Sequence, residues 1–179
     1  LLTPMDCSTL YVRRPNILKE AFSILPEYLR SAETDAQTVI NYMDYGVQLG
    51  RRFRALKLWF VLRHYGHEGL QQYLRQHIKL AQQFAGWIDA SPAFERLAPT
   101  PLSTLCFRAH PAGLDDDEAL NSLNETLMNK VNSNGQVFLS HTKLRGRYTI
   151  RLTLGNLATK AEHVSTAWEQ LQNELARLS

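Results

Sequence analysis

The chain has 179 residues, of which 44% are apolar and 21% charged, and its formal net charge is +3. A chain of this size buries one sizeable core, or one small domain plus part of another, and its composition excludes wholesale disorder. Acidic residues are spread throughout, which argues against a dedicated nucleic-acid binder with a concentrated basic patch. No window has the length and apolarity of a transmembrane helix, so no membrane partner is expected.

A strand and a short helix are predicted first. Residues Thr9 to Arg13 have strand character, and Pro15 suits the first position of a helix over Asn16 to Phe22. Pro26 ends that helix. The chain opens on Leu1 without an initiating Met, and its first apolar run is too short for a signal peptide. We therefore expect a piece of a longer polypeptide.

A polar loop over about residues 31–48 follows, with no helical or strand periodicity. A loop of this length in a compact domain is typical of a functional lid. It carries Tyr42 and Tyr45, and the basic-apolar segment Leu49 to Arg54 anchors it. A phenol near the tip of a lid can bring a proton donor over a bound substrate, so this loop is the candidate catalytic segment.

Two helices are predicted next. The first has apolar residues at helical spacing after Leu49 and ends at Gly66. The second runs from about Glu68 to Ile88 and is strongly amphipathic. Its predicted inner stripe is Leu70, Tyr73, Leu74, His77, Leu80, Ala81 and Phe84.

The rest of the chain predicts a β-β-α-β-β-α unit, an antiparallel sheet backed by helices. The predicted elements are strands Phe94 to Ala98 and Leu102 to Ala109, a helix from Glu118 to Val131, strands Val137 to Ser140 and Tyr148 to Leu154, and a last helix to Leu178. The acidic run Asp115 to Glu118 provides an N-cap, and Thr159 can cap the last helix. Leu144 to Arg147 is the predicted turn of the second hairpin.

Few residues suggest a metal or phosphate site. His64 and His67 are separated by the helix break at Gly66, whereas a zinc helix motif needs both ligands one turn apart on a continuous helix, so no metal site is predicted. There is no glycine-rich phosphate loop. Cys7 and Cys106 lie far apart in apolar segments, which indicates two buried thiols in a reducing compartment. The aromatic residues Trp59, Phe60 and Tyr65 are predicted to belong to a core rather than to a binding site.

Several strings in the sequence are more specific than these patterns. They are LLTPMDCSTLYVRRP, INYMDYGVQLGRRFRALKLWFVLRHYGHEGLQQYLRQHIKLA, LCFRAHP and GRYTIRLTLGN, in this order. Together they resemble the group II pyridoxal-phosphate-dependent decarboxylases, and most of all the aromatic-L-amino-acid decarboxylases with their tyrosine- and tryptophan-decarboxylating relatives. The resemblance covers essentially the whole chain.

The resemblance implies an α/β fold, the C-terminal part of a fold-type I enzyme that uses pyridoxal 5'-phosphate. Residues 1–69 would end the large cofactor domain, including the mobile loop, and residues 70–179 would form the small α+β domain. In this family the Schiff-base lysine lies in an Asn-x-His-Lys-Trp segment just before the counterpart of Leu1. We therefore expect no cofactor-binding residue in this chain, and an N-terminal remainder of the same enzyme that provides them.

Three site residues follow from the resemblance. Tyr42 aligns with the family's loop tyrosine, which returns a proton to the substrate carbon after carbon dioxide departs. Tyr45 falls where relatives often have another aromatic residue, and Met5 aligns where a phenylalanine lies near the substrate ring. Relatives with phenylalanine at the loop position resemble aldehyde synthases, so Tyr42 favours simple decarboxylation to an amine. Met5 differs from the phenylalanine that relatives have near the substrate ring, and this difference could change which amino acid the enzyme prefers.

The resemblance therefore implies that a cytoplasmic homodimer decarboxylates an aromatic L-amino acid to its amine. Two alternatives stay open. One is a non-catalytic segment that acts only in dimerisation or binding. The other is an aldehyde synthase with the same fold.

Overall fold

The computed structural model describes residues 2–23, 40–50 and 52–178. The chain divides into two compact units, Thr3–His64 and, together with the first residues of the chain, Tyr65–Ser179. Pro26, Arg51 and residues 31–39 of the predicted loop lie outside the described residues. The predicted boundary between residues 69 and 70 concerns the domains of a longer enzyme and stays a prediction.

The described residues of the N-terminal unit form little regular structure. Helix α1 is Asn16–Phe22, as predicted, and Pro15 precedes it with helical dihedral angles (φ −57°, ψ −33°). A short 3-10 helix covers Tyr42–Tyr45. The predicted strand over Thr9 to Arg13 is wrong, since this segment is exposed and has no strand structure. A strand needs a hydrogen-bonded neighbour, and no described residue pairs with this segment.

Helix α2 is Arg54–Ala90, and its helical geometry is interrupted at Gly66, which has φ 66° and ψ 177°. The predicted helix break at Gly66 is confirmed, because few side chains tolerate a positive φ there. After the break, the buried face carries Leu70, His77, Leu80, Ala81, Phe84, Ala85 and Ile88. Most of the predicted stripe is confirmed, but Leu74 is 44% exposed. In the described part of the chain, His77 Nε2 has no hydrogen-bond partner.

The C-terminal unit has the predicted β-β-α-β-β-α order. Its elements are β1 Phe94–Arg96, β2 Thr104–Ala109, α3 Asp117–Ser133, β3 Ser140–Leu144, β4 Arg147–Thr153 and α4 Ala161–Leu178. The strands form one antiparallel sheet in the order β1-β2-β4-β3. Arg145 and Gly146 both have positive φ, as a two-residue hairpin turn requires, so the predicted turn is confirmed.

The core lies on one face of this sheet. Leu105 is paired with Leu152 and Phe107 with Ile150, so the four side chains lie on the same face, and all are buried. Helices α2, α3 and α4 provide the opposing apolar side chains, among them Phe84, Ile88, Leu127, Val131, Leu171 and Leu175. The amphipathic pattern of each helix is satisfied in this way.

A buried asparagine attaches α3 to the sheet. Asn124 is fully buried, and its Oδ1 accepts a hydrogen bond from the Ala109 N–H at 2.6 Å. Its Nδ2 donates to the Ala109 carbonyl at 2.9 Å and to the Leu120 carbonyl at 2.8 Å. The side chain therefore satisfies both backbone groups of Ala109 at the end of β2.

Some other predictions are wrong in detail. Strand β3 begins at Ser140 rather than Val137, because both backbone groups of Leu139 bond to the side chain of Asn132. Neither Cys7 nor Cys106 is fully buried. Trp59 and Phe60 are about half exposed in their unit (53% and 57%), so no core covers them there.

Charged residues cluster at the start of α3. The Arg108 side chain is buried and pairs with Glu95 and with Asp117, whose Oδ1 lies 3.0 Å from Arg108 Nη1. Asp116 is the N-cap of α3, with its carboxylate accepting the Ala119 N–H at 2.7 Å. The predicted acidic helix start is confirmed. Thr159 is separated by one residue from the start of α4, where His163 Nδ1 accepts the Lys160 N–H. Among the described residues, no helix could cross a membrane.

We expect Asn124→Ala to destabilise the protein by about 2–5 kcal/mol, since both backbone groups of Ala109 would be left buried without partners. Chemical unfolding followed by circular dichroism measures this loss. Asn132→Ala is the matched control, because Asn132 binds both backbone groups of Leu139 in the same way at a less buried site. An equal loss in the two variants would contradict the role of burial.

Stability should also fall on acidification through Asp117. The Arg108 side chain donates to this carboxylate and holds its pKa below the ordinary value of 3.8. A lowered pKa in the folded state contributes stability above the unfolded pKa, and this is lost as the pH falls through the folded value. Asp117→Asn should therefore reduce the loss of thermal stability between about pH 6 and about pH 3. Glu118→Gln, at an exposed position of the same run, should leave that loss unchanged.

Candidate active site

The described end of the predicted loop is attached to α1. Asp44 is buried in the 3-10 helix, and its Oδ1 accepts a hydrogen bond from Ser23 Oγ at 3.3 Å. Lys19 Nζ lies 5.5 Å from the centre of the Tyr45 ring, within the range of a cation–π contact. The backbone N–H of Asp44 donates to the Asn41 carbonyl at 3.2 Å. The turn is therefore fixed at its base rather than extended as a free tip.

Tyr42 is the first residue of this turn and is 70% exposed. It lines a cavity of about 810 Å³ within the N-terminal unit. The other walls come from the turn itself, from the segment around Asp6 and from residues just before and at the start of α2. A phenol in this position is accessible to a small molecule in the cavity.

Met5 lines a second, smaller cavity of about 270 Å³ and is 97% exposed. The two cavities share part of their walls. The common residues are Asp6, Arg52, Phe53 and Arg54. The structure thus brings Met5 and Tyr42 to neighbouring spaces around one set of charged and aromatic side chains.

Tyr45 is placed differently. It is half-buried against Lys19 and is not among the described residues that line either cavity. A substrate contact through its ring would require the turn to move.

An ion pair stands where the two cavities meet. One carboxylate oxygen of Asp6, Oδ2, accepts from Arg54 Nε at 3.0 Å and lies 2.9 Å from Arg54 Nη2. This pairing lowers the pKa of Asp6 from its ordinary value. The sequence predicts that the segment Leu49 to Arg54 anchors the loop, but it does not indicate Asp6 as a partner of Arg54. The two residues are 48 positions apart, and neither spacing nor periodicity connects them.

Comparison with known proteins identifies the class. Residues 1–110 match the model of the pyridoxal-dependent decarboxylase conserved domain. The chain therefore belongs to the pyridoxal-dependent decarboxylase family, and the resemblance noted in the sequence is confirmed.

Individual relatives agree with this class. The chain is 40% identical over 172 residues to a tryptophan decarboxylase of Camptotheca acuminata, covering 96% of this chain and 34% of that protein. It is 42% identical over 177 residues to a phenylacetaldehyde synthase of Arabidopsis thaliana, covering 99% and 36%. The chain spans about a third of the length of the curated relatives it matches.

A solved structure supports the fold. The crystal structure of Oryza sativa TDC with PLP and tryptamine superimposes with a TM-score of 0.81 and 31% identity, covering 89% of this chain and 33% of that one. The predicted α/β fold of a pyridoxal-phosphate enzyme is thereby confirmed.

The cofactor of this family is pyridoxal phosphate, but the described residues do not fit a complete site for it. Among the described residues, no lysine lines the larger cavity, and Lys57 is the one lysine at the smaller cavity. Its sequence surroundings differ from the Asn-x-His-Lys-Trp segment of the family, and no glycine-rich phosphate loop accompanies it. The prediction that the Schiff-base and phosphate groups come from an N-terminal remainder stays a prediction.

We expect Asp44→Ala to release the 3-10 helix from α1, because the hydrogen bond between Ser23 and Asp44 is lost. Losing about 1–2 kcal/mol of local stability raises the open population roughly 5- to 30-fold. Chymotrypsin cleavage after Tyr42 and Tyr45 under native conditions measures this change. Glu20→Ala, which removes an exposed carboxylate from α1, is the control and should leave cleavage unchanged.

Proposed function

We propose that this chain is the C-terminal part of an enzyme that decarboxylates an aromatic L-amino acid to its amine and carbon dioxide, with pyridoxal 5'-phosphate. The observation that carries the proposal is the membership of the pyridoxal-dependent decarboxylase family, with 40% identity to a tryptophan decarboxylase along nearly the whole chain. The substrate of that relative supports an aromatic amino acid here.

The N-terminal remainder of the same enzyme is the first proposed partner. The Thr3–His64 unit leaves many large apolar side chains in water, among them Met5 at 97%, Tyr11 at 90% and Phe53 at 75% exposure. Exposed apolar surface of this extent is typical of an interface. We propose that the remainder covers it and supplies the Schiff-base lysine, so that the cavities found here form one side of the complete site.

The cofactor, when bound, supplies the electron sink for loss of the carboxylate. In our proposal, the Tyr42 hydroxyl holds the proton that the substrate carbon receives in exchange for carbon dioxide. Its exposure on the larger cavity is consistent with this task. Met5 would contact the substrate side chain from the smaller cavity, and Tyr45 would do so only after movement of its turn.

We further propose a homodimer in the cytoplasm. The homodimer is proposed because enzymes of this family have their active sites at a subunit interface, where the mobile loop of one subunit reaches the active site of the other. The two cysteines are free thiols in the structure, which is compatible with a reducing compartment.

A second reaction is favoured by a specific observation. The 42% identity with a phenylacetaldehyde synthase means that the same fold and similar sequence also occur in an aldehyde-forming enzyme. A non-catalytic role in dimerisation is the other alternative, and an inactive full-length protein would favour it.

The product of the full-length protein tests the proposal. The protein carrying this segment should be loaded with pyridoxal phosphate and supplied with L-tryptophan, L-tyrosine or L-phenylalanine. We expect equal amounts of amine and carbon dioxide, without ammonia or hydrogen peroxide. Aldehyde with ammonia and peroxide would show the alternative reaction, and no turnover of any of the three would contradict the proposal.

Tyrosine variants of the full-length protein test the proton donor. We expect Tyr42→Phe to lower amine formation by about 10²- to 10⁴-fold, the usual contribution of a general acid, and to divert product to a carbonyl compound. Tyr45→Phe is the control and should retain most activity. Tyr28→Phe should be made in parallel, because Tyr28 is a further phenol that precedes the predicted loop and lies outside the described residues. Loss of amine in Tyr28→Phe with normal activity in Tyr42→Phe would transfer the role to Tyr28.

A further inference from the structure

Asp6 and Arg54 lie beside the segment around Met5, the turn that contains Tyr42 and the start of α2. Asp6 follows Met5 directly, and Arg54 is the residue with which α2 begins. Both residues line the cavity that contains Tyr42 and the cavity that contains Met5. No secondary structure holds the segment around Met5, since residues 2–13 contain no described helix or strand. The Asp6 side chain connects this segment to the first residue of α2.

The geometry of the pair suits this task. Arg54 Nε donates a hydrogen bond to Asp6 Oδ2 at 3.0 Å, and Arg54 Nη2 lies 2.9 Å from the same oxygen, so the hydrogen bond and the ion pair together restrict the position of the carboxylate. The first turn of α2 contains no acidic residue of its own, so Asp6 also provides the negative charge that a helix start favours. The Asp6 side chain is 63% exposed and the Arg54 side chain 33% exposed. An ion pair with this exposure adds little to the free energy of unfolding.

We infer that Asp6 and Arg54 are positioning residues, which hold the Met5 segment in register with the hinge of the loop and so set the fit of the substrate side chain. This inference rests on the proposed function. In this proposal, neither Asp6 nor Arg54 contacts the reacting atoms of the substrate. The pair acts through Met5 on one side and through the residues that precede α2 on the other.

The test uses the full-length enzyme loaded with pyridoxal phosphate and the aromatic amino acid that it converts fastest. Asp6→Asn and Arg54→Gln should each raise KM by about fivefold to tenfold, with a smaller change in kcat. The double variant should be no worse than the poorer single variant, because the two changes remove one shared contact. Arg54→Lys keeps the charge without the two-pronged geometry and should recover only part of the loss.

A matched ion pair in the other unit provides the control. Arg96 binds Asp89 through Nε and Nη2 at 2.8 Å each, with side-chain exposures of 32% and 47%. Asp89→Asn and Arg96→Gln should leave KM and kcat unchanged. An unchanged KM in Asp6→Asn, an equal effect in the control pair, or effects that multiply in the double variant would overturn the inference.

Hydrogen exchange separates this inference from the proposed function. Asp6→Asn should speed exchange in residues 3–13 and at the start of α2, while Asp89→Asn should not. If the wild-type enzyme makes no amine, the proposed function fails, and the exchange result still decides the positioning role. Unchanged exchange in Asp6→Asn would overturn the inference even in an active enzyme.

Discussion

The apolar face of the β2–β4 strand pair is the constraint on which the C-terminal unit depends. Leu105, Phe107, Ile150 and Leu152 lie together on it, and exposing them to water would cost more than the backbone pairing of the strands could offset. The helices α2, α3 and α4 cover this face. Asn124 then attaches α3 to the sheet, because its side chain hydrogen-bonds to both backbone groups of Ala109.

The N-terminal unit lacks such a constraint. Helix α1 buries no residue completely, and most of the large apolar side chains among the described residues of this unit are exposed. Its described side-chain contacts include polar pairs that are distant in sequence, namely Ser23 with Asp44 and Arg54 with Asp6. The described residues of the unit that carries the candidate site therefore leave most of their large apolar side chains exposed, while the other unit has a buried core of its own.

Periodicity predicted the parts of the fold that a core determines. The stripe of α2, the two hairpins and the acidic start of α3 follow from patterns of apolar residues and turn residues, and the structure has them. The strand over Thr9 to Arg13 was wrong because strand character in a sequence does not supply a pairing partner. Val137 to Leu139 failed for a similar reason, since the Asn132 side chain takes the hydrogen bonds that a strand would need.

The candidate site was predictable only through resemblance. No local sequence pattern distinguishes Tyr42 or Met5. Their positions at two adjacent cavities depend on contacts between residues that are far apart in sequence. The Asp6–Arg54 contact escaped prediction because nothing in either segment indicates the other. The prediction that Trp59 and Phe60 belong to a core was wrong for another reason. Their periodicity predicts an apolar helix face, but it does not indicate which surface covers that face.

The long sequence separation of Asp6 and Arg54 has a consequence for the evolution of the loop. Closing a chain segment costs conformational entropy that grows only with the logarithm of its length, about 0.6 kcal/mol for each doubling. The 48-residue span between the two residues includes the whole predicted loop. Insertions or deletions there would change the closure entropy very little. Selection can therefore set the length of that loop by how far it must reach, almost independently of folding stability.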